Sequence, residues 1–240
     1  SLLPGLGRLA WLGVEPEFDP YKYNSFATNA AEQVHRLTRR ITSRLQARSG
    51  DGSGLPPMLV LKSAVDATVS TNAVVDRLLM QLSPSRHELV LFDINRSAVA
   101  SPLLVVDPGP LTARLVASPE LPFALTLVGN RDTGSQSVVA RSRPALARDF
   151  ETTTGLQGGW PRGVVSLSHV ALPFPPDDPL YGRLPPEDGG LYLGQLPLQG
   201  ERGLLRISSD WLLRLRSNPF YAYLEERTVD WLQRQSIDGR

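Results

Sequence analysis

Apolar residues in the middle of the chain form two patterns, a short continuous run and a helical repeat. The continuous run, Met58 to Leu61, follows two prolines and ends in Lys62-Ser63. The helical repeat follows, and a second continuous run, Glu88 to Phe92, comes after Pro84. This order predicts a strand, an amphipathic helix and a second strand, the unit that builds parallel sheets. The apolar positions of the helix are Ala73, Val74, Val75, Leu78, Leu79 and Leu82.

Similar patterns predict further elements on both sides of this unit. Asn29 to Arg48 reads as a helix, with an apolar stripe and arginines mostly on the other side. Phe123 to Val128 and Val164 to Leu172 are typical of strands, and Phe220 to Gln233 predicts a C-terminal helix that packs on the sheet. The segment from Ser137 to Gly159 favours neither state. We therefore expect an α/β fold with a mostly parallel sheet flanked by helices.

A Gly/Ser-rich segment divides the chain. Residues 49–54 have the composition of a flexible linker. We expect residues 1–54 to form a helical cap and linker segment, and residues 55–240 to form the main domain. The arginines of the first helix are most simply a solvated face, with an anion site as the alternative.

Composition excludes several classes of function. The chain has 240 residues, 41% of them apolar, which is an ordinary globular value. With 25 Lys+Arg against 24 Asp+Glu, the whole chain lacks the charge excess typical of nucleic-acid binding or of an anionic membrane partner. No cysteine is present, which excludes disulfides, thiolate nucleophiles and thiolate zinc sites and favours a cytoplasmic location. No apolar run reaches the roughly 18 residues of a transmembrane helix.

Asp66 is the first candidate for chemistry, because it follows the end of a predicted parallel strand, where α/β proteins place their sites. Two roles are open for its carboxylate. It could orient a catalytic histidine, or it could cap the following helix and fix the turn. Asp93 also ends a strand and is the second candidate acid, although a turn or a local salt bridge with Arg96 is equally consistent with its position.

The residues around Asp66 resemble a known family. The pattern Pro57-x-Leu59-x-Leu61-x-Ser63-x-x-Asp66-x-x-Val69, followed by a helix and Glu88 to Phe92, resembles the strand of α/β-hydrolases that carries the acid of the Ser-Asp-His triad. The strings SLSHVALPFPPDDPLYG, from Ser166 to Gly182, and DPYKYNSF, from Asp19 to Phe26, resemble the serine aminopeptidase and lysophospholipase-like branch.

This resemblance implies a function. It implies a serine hydrolase that cleaves carboxylic esters, with a small acyl ester or a lipid as substrate and no metal or organic cofactor. Asp66 is then the acid. His169, which follows it in the family's chain order, is the general base. The other two histidines, His35 and His87, are interpreted as structural.

The chain departs from the family pattern in two respects. The histidine normally follows the next strand closely, so His169 requires an insertion of about residues 97–163. The chain also has no G-x-S-x-G elbow and no His-Gly loop, since the glycines of Gly50 to Gly54 surround Ser53 in a different register. We therefore expect the N-terminal half of the fold, with the nucleophilic serine and the oxyanion donors, to lie outside this chain, and this fragment to be inactive alone.

Two alternatives remain. The missing elbow favours a non-catalytic interaction module with proline-rich loops as its binding surface. Ser25 is a further candidate nucleophile, although its extended loop lacks an elbow's glycines. Asp177 and Asp178 lack the partners that a calcium or zinc site would need.

Overall fold

The computed structural model of the protein describes residues 10–21, 23–47, 55–84, 86–99, 101–167, 170, 172, 174–194, 200–201, 204–206 and 215–238. The chain divides into two compact units, Ser1–Gly52 and Ser53–Arg240. The predicted linker, residues 49–54, lies outside the described residues.

The first unit is a small hairpin followed by a long helix. Strand β1 (Trp11–Gly13) pairs antiparallel with β2 (Phe26–Ala27), and helix α1 (Thr28–Ala47) begins directly after β2. The loop between the strands is held by Glu17, whose carboxylate accepts hydrogen bonds from the backbone amides of Asn24 and Ser25 at 2.7 and 2.9 Å. The helix predicted from the apolar stripe is confirmed.

The second unit contains a five-stranded sheet with strands in the order β3-β4-β5-β6-β7. Strands β3, β4 and β5 are parallel, whereas β6 is antiparallel to both of its neighbours. The elements are β3 (Leu59–Ser63), α2 (Thr71–Arg77), a 3₁₀ turn (Leu79–Gln81), β4 (Glu88–Phe92), a second 3₁₀ turn (Ser101–Leu103), α3 (Gly109–Ala117), β5 (Ala124–Asn130), β6 (Ser137–Arg143), β7 (Thr152–Gly159) and α4 (Tyr221–Asp238).

Two apolar layers cover the sheet. On one face, α2 and α3 pack against alternate residues of β4 and β5. On the other face, Phe220, Tyr223 and Leu224 at the start of α4 pack near Phe92 and Val128. Strand β4 is buried on both faces, which explains its continuous apolar run. Helix α4 is also held by Glu88, whose carboxylate forms ion pairs with Arg227 and Arg234.

The α/β architecture is as expected, but the sheet is mixed rather than mostly parallel. Its four strand pairs are two parallel and two antiparallel. The reason is the connection between β5 and β6, residues 131–136, which is too short for the helical crossover that a parallel pair requires. The segment that favoured neither state forms β6 and β7. Residues 164–167, the described start of the strand expected over Val164 to Leu172, belong to none of the five strands of this sheet.

Candidate functional site

The carboxyl end of β3 holds a buried ion pair that includes the candidate acid. Asp66 Oδ2 is paired with Lys62 Nζ, and each side chain is only 8% exposed. Asp66 Oδ1 accepts hydrogen bonds from the backbone amides of Thr68 and Val69 at 2.9 and 3.0 Å. The carboxylate therefore fixes the turn between β3 and α2, which is the structural role that the sequence left open.

Burial and hydrogen bonding act in opposite directions on the pKa of Asp66. Desolvation raises it, but the hydrogen bond from Lys62, the backbone amides and the positive charge of Lys62 together lower it below the ordinary value. Asp66 is thus held as a carboxylate. Lys62 was not predicted as part of this site, although its spacing of four residues from Asp66 is a signal that sequence reasoning could have used.

Residues 164–167 reach the same end of the sheet. Asn95, which follows β4, donates from its backbone amide to the carbonyl oxygen of Val165 at 2.8 Å and from its side chain to that of Val164 at 2.9 Å. Ser63, the last residue of β3, donates from Oγ to the carbonyl oxygen of Leu167 at 2.7 Å. The chain therefore runs past the end of β4 and arrives at the end of β3, three residues before Asp66.

His169, the candidate base, and Ser168 lie outside the described residues. The nearest described positions along the chain are Leu167 and Val170. Both are buried, and both belong to the apolar layer between the sheet and α4.

Asp93, the second candidate acid, is engaged in a salt bridge. Arg96 donates to its carboxylate from Nε at 2.8 Å and from Nη2 at 3.2 Å, and reaches Asp107 from Nη1 at 3.3 Å. Although burial opposes it, the two carboxylates raise the pKa of Arg96 above its ordinary value. The geometry fits the local salt bridge that the sequence allowed, with both Asp93 oxygens accepting from Arg96.

A cavity of about 380 Å³ lies beside this salt bridge, at the carboxyl ends of β4 and β5. Its lining includes Asp93, Arg96, Thr112, Asn130 and Arg141. Asn130 was not predicted to belong to a site, and its Oδ1 accepts from the Arg96 amide at 2.9 Å. No group of three or more His, Asp or Glu side chains in the described part of the chain could hold a metal ion.

The remaining candidates occupy structural positions. Ser25 Oγ accepts from the amide of Glu15 and donates to its carbonyl oxygen, both at 3.1 Å, so it ties the two ends of the hairpin loop together.

His87 precedes β4 at the amino end of the sheet. Its Nδ1 accepts from the amide of Met58 at 3.2 Å, and burial lowers its pKa. Asp178 Oδ1 accepts from the amides of Leu180 and Tyr181.

Comparison of the chain with protein-family models, curated proteins and solved structures finds no match in any of the three. The resemblance to α/β-hydrolases therefore depends only on the residues quoted for it in the sequence. Among the described helices, none combines the length and the apolar character needed to cross a bilayer.

Proposed function

We propose that this chain supplies the acid and the base of a serine hydrolase of the α/β-hydrolase type. Asp66 is the acid, His169 is the base, and the substrate is a carboxylic ester of a small acyl group or a lipid. The observation that carries the proposal is the hydrogen bond from Ser63 Oγ to the carbonyl oxygen of Leu167. It joins the strand that precedes Asp66 to the segment that precedes His169.

The long separation of the two residues has a structural explanation that supports the proposal. Residues 97–163, the insertion that His169 requires, include α3 and strands β5 to β7. These strands extend the sheet on the side of β4 away from β3. Because the chain then returns to the carboxyl end of β3, an insertion of this kind separates Asp66 and His169 in sequence without separating the segments that carry them.

The ionisation of Asp66 also fits the role of acid. A triad acid has to be a carboxylate in order to orient the histidine and to stabilise the imidazolium ion. Lys62 and the two backbone amides favour that form. A carboxylate oxygen accepts more than one hydrogen bond, so Oδ2 is able to receive an imidazole N–H beside the ammonium group of Lys62.

The open edge of the sheet at β3 is consistent with a nucleophile on further strands. Strand β3 is at an edge of the five-stranded sheet, and within the described residues no strand pairs with its outer side. Parallel strands are normally covered and paired. We propose that the N-terminal half of the fold adds parallel strands there and brings the serine and the oxyanion donors.

The reaction then follows the triad chemistry. The serine hydroxyl attacks the ester carbonyl while His169 accepts its proton, and Asp66 stabilises the resulting imidazolium ion. His169 returns the proton to the leaving alcohol, and water clears the acyl-enzyme by the same route. A cytoplasmic location, favoured by the absence of cysteine, is part of this proposal.

The test is labelling of the longest natural polypeptide that contains this sequence with a fluorophosphonate probe. Asp66→Asn and His169→Ala should each abolish labelling, while the matched variant Asp93→Asn should retain it. Circular dichroism establishes that each variant is folded. Absence of labelling in the folded wild-type polypeptide would contradict the proposal, and so would labelling that both substitutions leave intact.

A non-catalytic interaction module is the second candidate. It is favoured by Asp66 itself, because both of its oxygens already have partners in Lys62 and the two amides. In that case Asp66→Asn lowers the stability of the fold, and no variant of the folded polypeptide reacts with the probe.

A further inference from the structure

Helix α1 has an apolar stripe that the structure leaves exposed. Val34, Leu37 and Ile41 recur at helical spacing and are 57%, 59% and 45% exposed, and Leu45 is the only buried residue of this twenty-residue helix. Helices of globular proteins gain most of their stability by burying such a stripe. The stripe of α1 is therefore a surface that needs a partner.

The concentration of exposed apolar residues is specific to this unit. Ten large apolar side chains between residues 11 and 41 are exposed, whereas the described residues of the much longer second unit expose eleven. The ten include Trp11 and Phe26 on the hairpin that precedes α1. Exposed apolar residues at this density mark a contact surface rather than ordinary scatter.

The charges of α1 indicate the chemistry of that partner. The helix carries four arginines and one acidic residue, Glu32, which pairs with Arg36. With about 100° of rotation per residue, Arg40 and Arg44 lie within about 100° of the centre of the stripe, on one flank of it. Both are exposed, and within the described residues neither forms an ion pair. Their guanidinium groups can thus extend to a negatively charged surface while the stripe is buried.

We propose that α1 binds the surface of a membrane containing anionic lipids, with Val34, Leu37 and Ile41 in the acyl boundary and Arg40 and Arg44 on the phosphate groups. An apolar stripe flanked by arginines, with exposed aromatic residues nearby, is the pattern of helices that lie in the membrane interface. The acidic residues Glu15, Glu17 and Asp19 precede the helix, so the contact is made by the part of α1 from Val34 to Arg44. This proposal does not depend on the hydrolase proposal.

The test is flotation of the full chain with vesicles of phosphatidylcholine alone or mixed with phosphatidylglycerol. The chain should float with the anionic vesicles only, and added salt should weaken the binding. Leu37→Ser should reduce partitioning by roughly tenfold or more, since one leucine leaves the acyl boundary. Arg40→Gln/Arg44→Gln should reduce it by about as much at low salt.

One further variant serves as the control. Val229→Ser/Leu232→Ser changes an exposed apolar pair on α4, and it should leave flotation unchanged. Failure of the folded wild-type chain to float with anionic vesicles would overturn the proposal. So would flotation that the α1 variants do not alter. If Leu37→Ser instead dissociates an oligomer in lipid-free solution, a protein covers the stripe and the membrane proposal is wrong.

Discussion

The hydroxyl group of Ser63 and the carbonyl oxygen of Leu167, 104 residues apart in the chain, are joined by a hydrogen bond of 2.7 Å. Both residues are almost completely buried. The bond attaches the segment that leads toward His169 to the strand that leads to Asp66. Removal of the hydroxyl leaves a buried carbonyl oxygen without this donor.

We therefore expect Ser63→Ala to lower the free energy of unfolding by about 1–3 kcal/mol, the usual effect of an unsatisfied buried polar group. Urea unfolding at neutral pH measures the change. Ser236→Ala is the matched control, because Ser236 also donates to a carbonyl oxygen, that of Leu232, but is exposed. The control should change stability by less than about 0.5 kcal/mol. Equal effects in the two variants would show that this bond does not hold residues 164–167 in place.

The parts of the fold that could be predicted are those with a regular apolar pattern. Strands β4 and β5 show continuous apolar runs because they are buried, and helices α1 and α4 show apolar residues at helical spacing although most of their residues are exposed or half-buried. Strands β6 and β7 were not predicted. β6 contains Arg141 and Arg143, and β7 is mostly Thr and Gly and largely exposed. Their pairing follows from the hairpin between β5 and β6, which local apolar periodicity does not encode.

The candidate site was predictable only in part. The position of Asp66 follows from its place after a strand, but its ion pair with Lys62 depends on a charged side chain that turns back into a buried site. The family resemblance required an insertion of about residues 97–163 before His169, but it did not predict the return of residues 164–167 to the end of β3. It arises from long-range hydrogen bonds of Asn95 and Ser63, which no local pattern predicts.

Arg143 connects β6 to the end of α3. We expect this connection to require the planar shape of a guanidinium group. Its guanidinium donates to the carbonyl oxygens of Leu115, Ser118 and Arg148 at 2.5 to 2.8 Å. Arg143→Lys should destabilise the fold by about 2–4 kcal/mol, since an ammonium group does not reproduce this planar fork. Thermal and urea unfolding measure the loss. Arg141→Lys changes an arginine on the same face of β6 that is exposed, and it should have little effect. A tolerated Arg143→Lys would contradict the role of the fork.

The Lys62–Asp66 pair should make stability depend on pH in a defined direction. The pKa of Asp66 is lowered in the folded state, so the unfolded chain binds the proton more readily and stability rises with pH. The contribution is complete above the ordinary value of 3.8 and is lost as the pH falls through the folded pKa. The free energies of unfolding of the wild type and of Asp66→Asn should therefore differ most at neutral pH and converge as the pH is lowered.

Removal of Lys62 tests the same pair from the other side. Lys62→Met leaves the Asp66 carboxylate buried with two amides only and should cost about 3–5 kcal/mol at neutral pH. The control is Asp76→Asn, which breaks the exposed pair of Asp76 with Arg114 and should cost at most about 1 kcal/mol. If Lys62→Met costs no more than this control, the pair is not held in a desolvated site.

Two glycines of β7 should respond in opposite ways to the same substitution. A Cβ atom on Gly159 would lie 2.4 Å from the carbonyl oxygen of Gln136, a backbone atom that cannot move aside easily. The nearest atom to a Cβ on Gly155 would be Arg131 Nη2 at 3.6 Å, an ordinary contact. Gly159→Ala should thus destabilise the fold by about 1–3 kcal/mol, as overpacking does. Gly155→Ala should be neutral or stabilise it by up to about 1 kcal/mol, because it restricts the unfolded chain. Urea unfolding of both variants decides the matter: equal changes would mean that the close approach of β7 to Gln136 does not exist in solution.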